Sequence, residues 1–145
     1  MTDQPIHATT VAIRCDNSGN SEWRGVVLRG PSGIGKSDLA LQLIAMGGRL
    51  VADDRTLIWA SGDGVFARCP TLIRGLIEAR SVGIMTLAAM ELVRVRLVVD
   101  LYDHAPERCP DPQVIQWLGL TLPLISIDAR SAGAASLIHR VTEAL

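Results

Sequence analysis

A glycine-rich segment between an apolar strand and a helix carries the clearest chemistry in this sequence. It fits the pattern G-x-x-x-x-G-K-[ST]. In this pattern backbone N–H groups and the helix N-terminus converge on phosphate oxygens, the lysine reaches the β and γ phosphates, and the last hydroxyl binds Mg²⁺. The sequence therefore predicts a nucleotide-phosphate site made of Gly30, Pro31, Ser32, Gly33, Ile34, Gly35, Lys36 and Ser37.

The choice of basic residues supports this interpretation. Of the 14 lysines and arginines in the chain, all but Lys36 are arginines. Lysine presents a compact ammonium that fits between phosphate oxygens, whereas arginine presents a wider planar fork. Because Lys36 is the only lysine, the N-K-x-D motif with which Ras-type GTPases read guanine is excluded.

Two sets of carboxylates could complete a phosphoryl-transfer site, which needs acids to hold metal and to accept a proton. Asp53 and Asp54 follow the short apolar strand Leu50–Ala52, directly after the helix of the phosphate loop. Asp100 ends a longer apolar run and is similar to the aspartate that holds Mg²⁺ in ordinary P-loop NTPases. Repulsion between neighbouring aspartates favours a raised pKa on one carboxyl, which suits a general base. The pair is therefore favoured, and Asp100 remains the alternative.

Composition limits the class of protein. The chain has 145 residues, 48% of them apolar, which suffices for one core and predicts a single domain over residues 1–145. A net charge of −1 argues against nucleic acid as a partner. No apolar stretch is long enough for a membrane span, so we expect a soluble, cytoplasmic protein. Cys15, Cys69 and Cys109 form no C-x-x-C pair and are expected to be reduced.

Alternating and helical apolar patterns predict the elements that position these groups. Turn-forming residues separate most of the strands. The predicted strands are 9–14, 23–29, 50–52, 55–60, 65–68, 92–101 and 124–129, the helices are 36–46 and 134–145, and 102–112 is a loop. This order predicts an α/β domain with a mixed sheet.

Four sequence blocks together resemble the C-terminal kinase domain of the HPr kinase/phosphorylase family, in the short form typical of alphaproteobacteria. They are Ile6-His7-Ala8, residues 30–41, residues 50–54 and residues 76–84. The fourth is similar to the family signature L-x-E-x-R-G-x-G-I, with Ser81 in place of a glycine. The resemblance implies a phosphoenolpyruvate-carboxykinase-like P-loop fold and transfer of phosphate from ATP to a serine of the carrier protein HPr.

The same resemblance implies roles for individual residues. Asp53 resembles the catalytic acid/base, with His7 near it and Asp54 as its partner at the metal site. Glu78 and Ser37 resemble Mg²⁺ ligands.

Two arginines also match family positions. Arg80 matches the signature arginine, and Arg130 resembles the first arginine of a loop R-P-G-R-N that engages the partner protein. Here residues 130–134 read Arg-Ser-Ala-Gly-Ala, so the second arginine is missing.

Three functions follow as hypotheses. The first is an ATP- and Mg²⁺-dependent protein serine kinase acting on HPr, with possible dephosphorylation by phosphorolysis and a possible homo-oligomer. The others are an ATP sensor without transfer and a small-molecule P-loop kinase that uses Asp100.

Overall fold

The structure is a computed structural model that describes residues 3–17, 19–104 and 111–145. Its strands are β1 (Gln4–His7), β2 (Thr9–Asn17), β3 (Asn20–Arg29), β4 (Arg49–Ala52), β5 (Arg55–Ser61), β6 (Gly64–Arg68), β7 (Leu76–Ala79), β8 (Gly83–Thr86), β9 (Leu92–Tyr102), β10 (Gln113–Trp117) and β11 (Leu120–Asp128). The helices are α1 (Lys36–Ala45) and α2 (Ala134–Glu143), with a short 3-10 helix at Thr71–Ile73.

The main sheet is mixed, with β3 near its centre. Its strands run in the order β1-β5-β6-β9-β3-β2-β4. Strand β3 pairs antiparallel with β2 and parallel with β9. The other edge of β9 binds β6 near its start and β11 near its end. This arrangement confirms the predicted α/β class with a mixed sheet.

Apolar residues cover both faces of the central strands, as expected for strands buried on both sides. Val26 and Leu28 of β3 belong to one core cluster with Leu43 of α1 and Ile138 of α2. The next residue, Val27, belongs to a second cluster on the opposite face, with side chains from β5, β6 and β11. The phosphate loop therefore follows a strand that is packed on both faces.

The two helices lie close to their predicted bounds. Helix α1 ends one residue before the predicted Met46, and Gly47 follows at φ 99°, a left-handed conformation that favours glycine. Helix α2 ends at Glu143, where buried Arg24 donates hydrogen bonds to the carbonyl oxygens of Thr142 (2.8 Å) and Glu143 (3.1 Å). Neither helix of the described residues is long and apolar enough to cross a membrane.

Cys15 and Cys69 are buried free thiols, as predicted, and burial raises the pKa of both. Cys109 lies outside the described residues, as does most of the predicted loop 102–112. Tyr102 of that loop is instead the last residue of β9.

Two hairpins were not predicted from the sequence, and their turns explain why. Strands β10 and β11 are joined by Leu118 and Gly119, both with positive φ, the conformation of a type I′ turn. Because leucine occupies the first turn position, this turn does not have the Asn-Gly pair that usually marks a hairpin in a sequence. Strands β7 and β8 are joined through Ser81, which has φ 68°. Strand β1 was also missed, because Gln4–His7 shows no apolar alternation.

The positive φ of Ser81 gives a test of stability. We expect Ser81→Gly to raise the free energy of unfolding by about 0.5–1 kcal/mol, because a left-handed conformation costs a non-glycine residue more than the added chain freedom of glycine. Urea denaturation at an unchanged m-value measures this. Ser131→Gly is the matched control. Because Ser131 does not have a positive φ, this variant should be less stable than the wild type. A decrease in stability for Ser81→Gly would contradict the prediction.

Candidate active site

A cleft of about 450 Å³ lies at the carboxyl end of β3 and β4 and at the start of α1. Charged and hydroxyl side chains surround it. The residues that line it are Thr9, Ser32, Gly33, Gly35, Lys36, Ser37, Asp38, Asp53, Asp54, Glu78 and Arg80. The fold therefore brings the phosphate loop, both paired aspartates and the signature acid to one place.

The phosphate loop has the backbone that its motif predicts. Gly35 adopts φ 111° directly before α1, a backbone conformation that residues with a Cβ rarely adopt. A Cβ on Gly30 would lie 2.9 Å from Cγ2 of Ile34 and 3.2 Å from the carbonyl oxygen of Leu101. Five of the eight loop residues line the cleft, whereas Gly30, Pro31 and Ile34 line a neighbouring pocket.

Lys36 is held inside the loop, with only 6% of its surface exposed. Its Nζ donates hydrogen bonds to the carbonyl oxygens of Gly30 (2.8 Å) and Pro31 (3.0 Å). Burial lowers the pKa of Lys36, and the negative charges of Asp54 and Asp53 act in the opposite direction. A bound phosphate group would add negative charge beside this buried ammonium.

Three donors fix the carboxylate of Asp53, which is 8% exposed. Oδ1 accepts hydrogen bonds from Oγ1 of Thr9 (2.9 Å) and Oγ of Ser37 (2.6 Å), and Oδ2 accepts one from the backbone N–H of Glu78 (3.1 Å). These contacts join β2, α1 and β7 at one side chain. Sequence reasoning missed Thr9, because its spacing is that of an ordinary strand threonine.

Asp54 lies at the rim of the cleft and binds His7. Its Oδ1 is 2.6 Å from Nε2 of His7, and the two side chains are 64% and 47% exposed. The backbone N–H of Asp54 donates to Oγ1 of Thr9 (3.1 Å), which holds the residue at φ 67°. The predicted neighbours His7, Asp53 and Asp54 are therefore close together.

The oxygen donors of the cleft suit Mg²⁺, which prefers carboxylates and hydroxyls and keeps several waters or phosphate oxygens. The hydroxyl of Ser37 touches Asp53, and the predicted ligands Glu78 and Asp54 line the same cleft. No group of three His, Cys, Asp or Glu side chains within the described ranges could hold a metal alone. These residues fit a magnesium ion whose coordination is completed by the phosphates of a nucleotide.

The two predicted arginines lie in different places. Arg80 lines the cleft, where its Nη2 is 3.5 Å from the carbonyl oxygen of Gly33 and its Nε is 3.9 Å from Asp38. Arg130 follows β11 and does not line the cleft. Its Nε lies 3.6 Å from Oδ1 of Asp128, and its side chain is exposed. A role for Arg130 toward a partner stays a prediction.

Asp100, the alternative metal ligand, is engaged elsewhere. Its two carboxylate oxygens accept hydrogen bonds from Nε (2.7 Å) and Nη2 (3.0 Å) of Arg29. It does not line the cleft that contains Lys36 and Ser37. This bidentate pair disfavours the ordinary P-loop arrangement in which Asp100 supports the metal.

Comparison with known proteins places this geometry among relatives. A family model described as "HPr Serine kinase C-terminal domain" matches residues 22–132. A protein of Cupriavidus necator named "HPr kinase/phosphorylase" is 36% identical over 115 residues, which cover 71% of this chain and 36% of that protein. One of the same name from Exiguobacterium sibiricum is 36% identical over 130 residues, which cover 81% of this chain and 42% of that protein.

A solved structure shares the fold. The structure titled "Hpr(Ser) kinase/phosphatase from Coxiella burnetii" superposes with a TM-score of 0.77 at 26% sequence identity, covering 95% of this chain and 93% of that one. The curated relatives are longer: the matched part spans 36% of the first and 42% of the second.

Proposed function

Because the chain belongs to the HPr serine kinase C-terminal domain family, as its motifs predicted, we propose that it transfers the γ-phosphate of ATP to a serine hydroxyl of HPr. The observation that carries this proposal is the position of Asp53. Its carboxylate is within hydrogen-bond distance of Ser37, the last residue of the phosphate loop. A group able to accept a proton therefore lies beside the end of the loop, next to the position expected for the terminal phosphate of a bound nucleotide.

The residues divide the work of the reaction. Backbone N–H groups of the loop and Lys36 bind the β and γ phosphates and offset the charge that develops on them. Ser37, Glu78 and Asp54 would hold Mg²⁺, which supplies further charge neutralisation when bound. Thr9 keeps the Asp53 carboxylate in one orientation.

The chemical step is a displacement at phosphorus. The serine oxygen forms a bond to the γ-phosphorus while the bond to the β–γ bridging oxygen breaks, and ADP leaves. Asp53 takes the proton of the serine hydroxyl. His7, hydrogen-bonded to the neighbouring Asp54, orients that residue at the rim.

The reverse use of the same groups gives phosphorolysis. An oxygen of inorganic phosphate forms a bond to the phosphoserine phosphorus while the bond from that phosphorus to the serine oxygen breaks. Protonated Asp53 gives its proton to the departing serine oxygen, and the products are serine and pyrophosphate. With ATP and HPr as its substrates, the protein is expected to act in the cytoplasm.

Intact mass spectrometry tests the proposal. The protein is incubated with Mg-ATP and HPr from the same organism, and we expect one added phosphate on HPr, on a serine identified by fragmentation. Binding of ATP without modification of HPr would favour the sensor hypothesis. Phosphorylation of a small molecule with unmodified HPr would favour the small-molecule kinase.

The metal site gives a separate prediction. Glu78→Gln should raise the Mg²⁺ concentration for half-maximal transfer by about 10-fold or more, because loss of a direct ligand should cost at least as much as loss of an outer partner of a metal. The backbone N–H of Glu78, which holds Asp53, is kept in this variant. Glu91→Gln, at an exposed position before β9, is the matched control. The prediction fails if both variants titrate like the wild type.

A further inference from the structure

A second pocket, of about 310 Å³, adjoins the phosphate loop on the side away from Asp53. It shares no lining residue with the cleft. Its walls come from the start of the loop and the end of β9, namely Arg29, Gly30, Pro31, Ile34, Asp100, Leu101, Tyr102 and Asp103. The loop is therefore a common wall between two hollows.

The two hollows differ in chemistry. The cleft is lined by ammonium, carboxylate, guanidinium and hydroxyl groups. The second pocket presents Pro31, Ile34, Leu101 and the partly exposed Tyr102. Its floor charges, Arg29 and Asp100, neutralise each other through two hydrogen bonds. Such a pocket suits an uncharged, flat ligand with apolar faces.

The topology relates the two hollows to one ligand. Strands β3 and β9 run parallel with Arg29 opposite Asp100, so the loop after β3 and the end of β9 lie at the same sheet edge. Asp53 follows β4, on the other side of β3. Ligands of open α/β sheets bind outside the carboxyl ends of strands in this way. The loop therefore lies between Asp53 and the end of β9, so a loop-bound molecule with its terminal phosphate beside Asp53 would have its other end on the β9 side.

We propose that the second pocket holds the base of the nucleoside triphosphate whose phosphates occupy the loop, with Tyr102 and Ile34 against the faces of the base. The proposal rests on the nucleotide-binding part of the proposed function and not on HPr. Asp103 lies at the edge of this pocket, where its carboxylate can accept a hydrogen bond from an amino group of the base.

Calorimetric titration with two probes, Mg-ATP and inorganic tripolyphosphate with Mg²⁺, separates the base from the phosphates. Tyr102→Ala should weaken ATP binding about fivefold or more, the lower limit for loss of an aromatic ring stacked on a base, and leave tripolyphosphate affinity unchanged. Tyr102→Phe should restore ATP binding. Equal weakening of both probes, or of neither, would overturn the proposal.

Photolabelling of the wild-type protein keeps the test independent of folding of the variant. With 8-azido-ATP, the labelled peptide should include residues 29–34 or 100–103, and labelling confined to other peptides would overturn the proposal. Neither measurement needs HPr, so the location of the base can be tested even if the protein does not phosphorylate HPr. Phosphate transfer to HPr can likewise be tested whatever the location of the base.

Discussion

Asp53→Asn is expected to lose phosphate transfer by about 10²-fold or more, the usual effect of removing a general base, while Mg-ATP still binds. Asparagine has the shape of aspartate but cannot take the proton of a serine hydroxyl. Transfer to HPr is measured by mass spectrometry, and ATP binding is measured by calorimetry on the same preparation. A variant that transfers phosphate at the wild-type rate would remove Asp53 from its catalytic role.

The hydrogen bonds of Asp53 specify what the variant does to the fold. An asparagine oxygen can keep the contacts with Thr9 and Ser37, but its NH₂ group then faces the N–H of Glu78, two donors together. We expect a loss of about 1–3 kcal/mol in the free energy of unfolding from the unpaired donor. Asp63→Asn, at an exposed acid on the turn between β5 and β6, is the control that should change neither activity nor stability.

Lys36→Met is expected to abolish transfer and to weaken ATP binding about 10-fold or more, because a charge-assisted contact with phosphate is lost. Lys36→Arg should fail as well. The loop encloses the ammonium through the carbonyls of Gly30 and Pro31, so a wider planar guanidinium cannot take its place. Calorimetry with Mg-ATP measures the loss of binding, and the HPr assay measures the loss of transfer.

Thermal unfolding distinguishes loss of binding from loss of folding in these variants. Burial disfavours the charged form of Lys36, so the free Lys36→Met protein should be at least as stable as the wild type. At the same ATP concentration, the rise in melting temperature should then be smaller for the variant than for the wild type. Normal transfer by Lys36→Arg would contradict the role of a compact cation.

The parts of the fold that depend on local sequence could be predicted. The motif of residues 30–37 and the apolar spacing of α1 fix the loop and the helix, and the structure places both within one residue of expectation. Strand β3 was recognised from its apolar run, and β9 was recognised from the alternation of apolar residues with Arg94 and Arg96. The pairing of Asp53 with Ser37 follows from these elements and from the short strand β4.

The remaining parts depend on contacts between distant segments. Thr9 orients Asp53 across 44 positions of sequence, and its neighbours in the chain carry no sign of this. The turns at Ser81 and Leu118 use residues that rarely adopt positive φ, so local statistics argue against the hairpins that tertiary packing produces. The position of Asp100 at the end of an apolar run is typical of a metal ligand, but in the fold its carboxylate pairs with Arg29.

The parallel pairing of β3 with β9 has a consequence for folding kinetics. Arg29 and Asp100 lie 71 positions apart, so the strand that leads into the phosphate loop closes a long chain segment before one of its two edges is paired. Such non-local pairing is slow, since loop-closure entropy is lost before the contacts form. The nucleotide site is complete only once this pairing has formed. Because a nucleotide binds the folded protein and stabilises it, we expect bound nucleotide to act mainly by slowing unfolding.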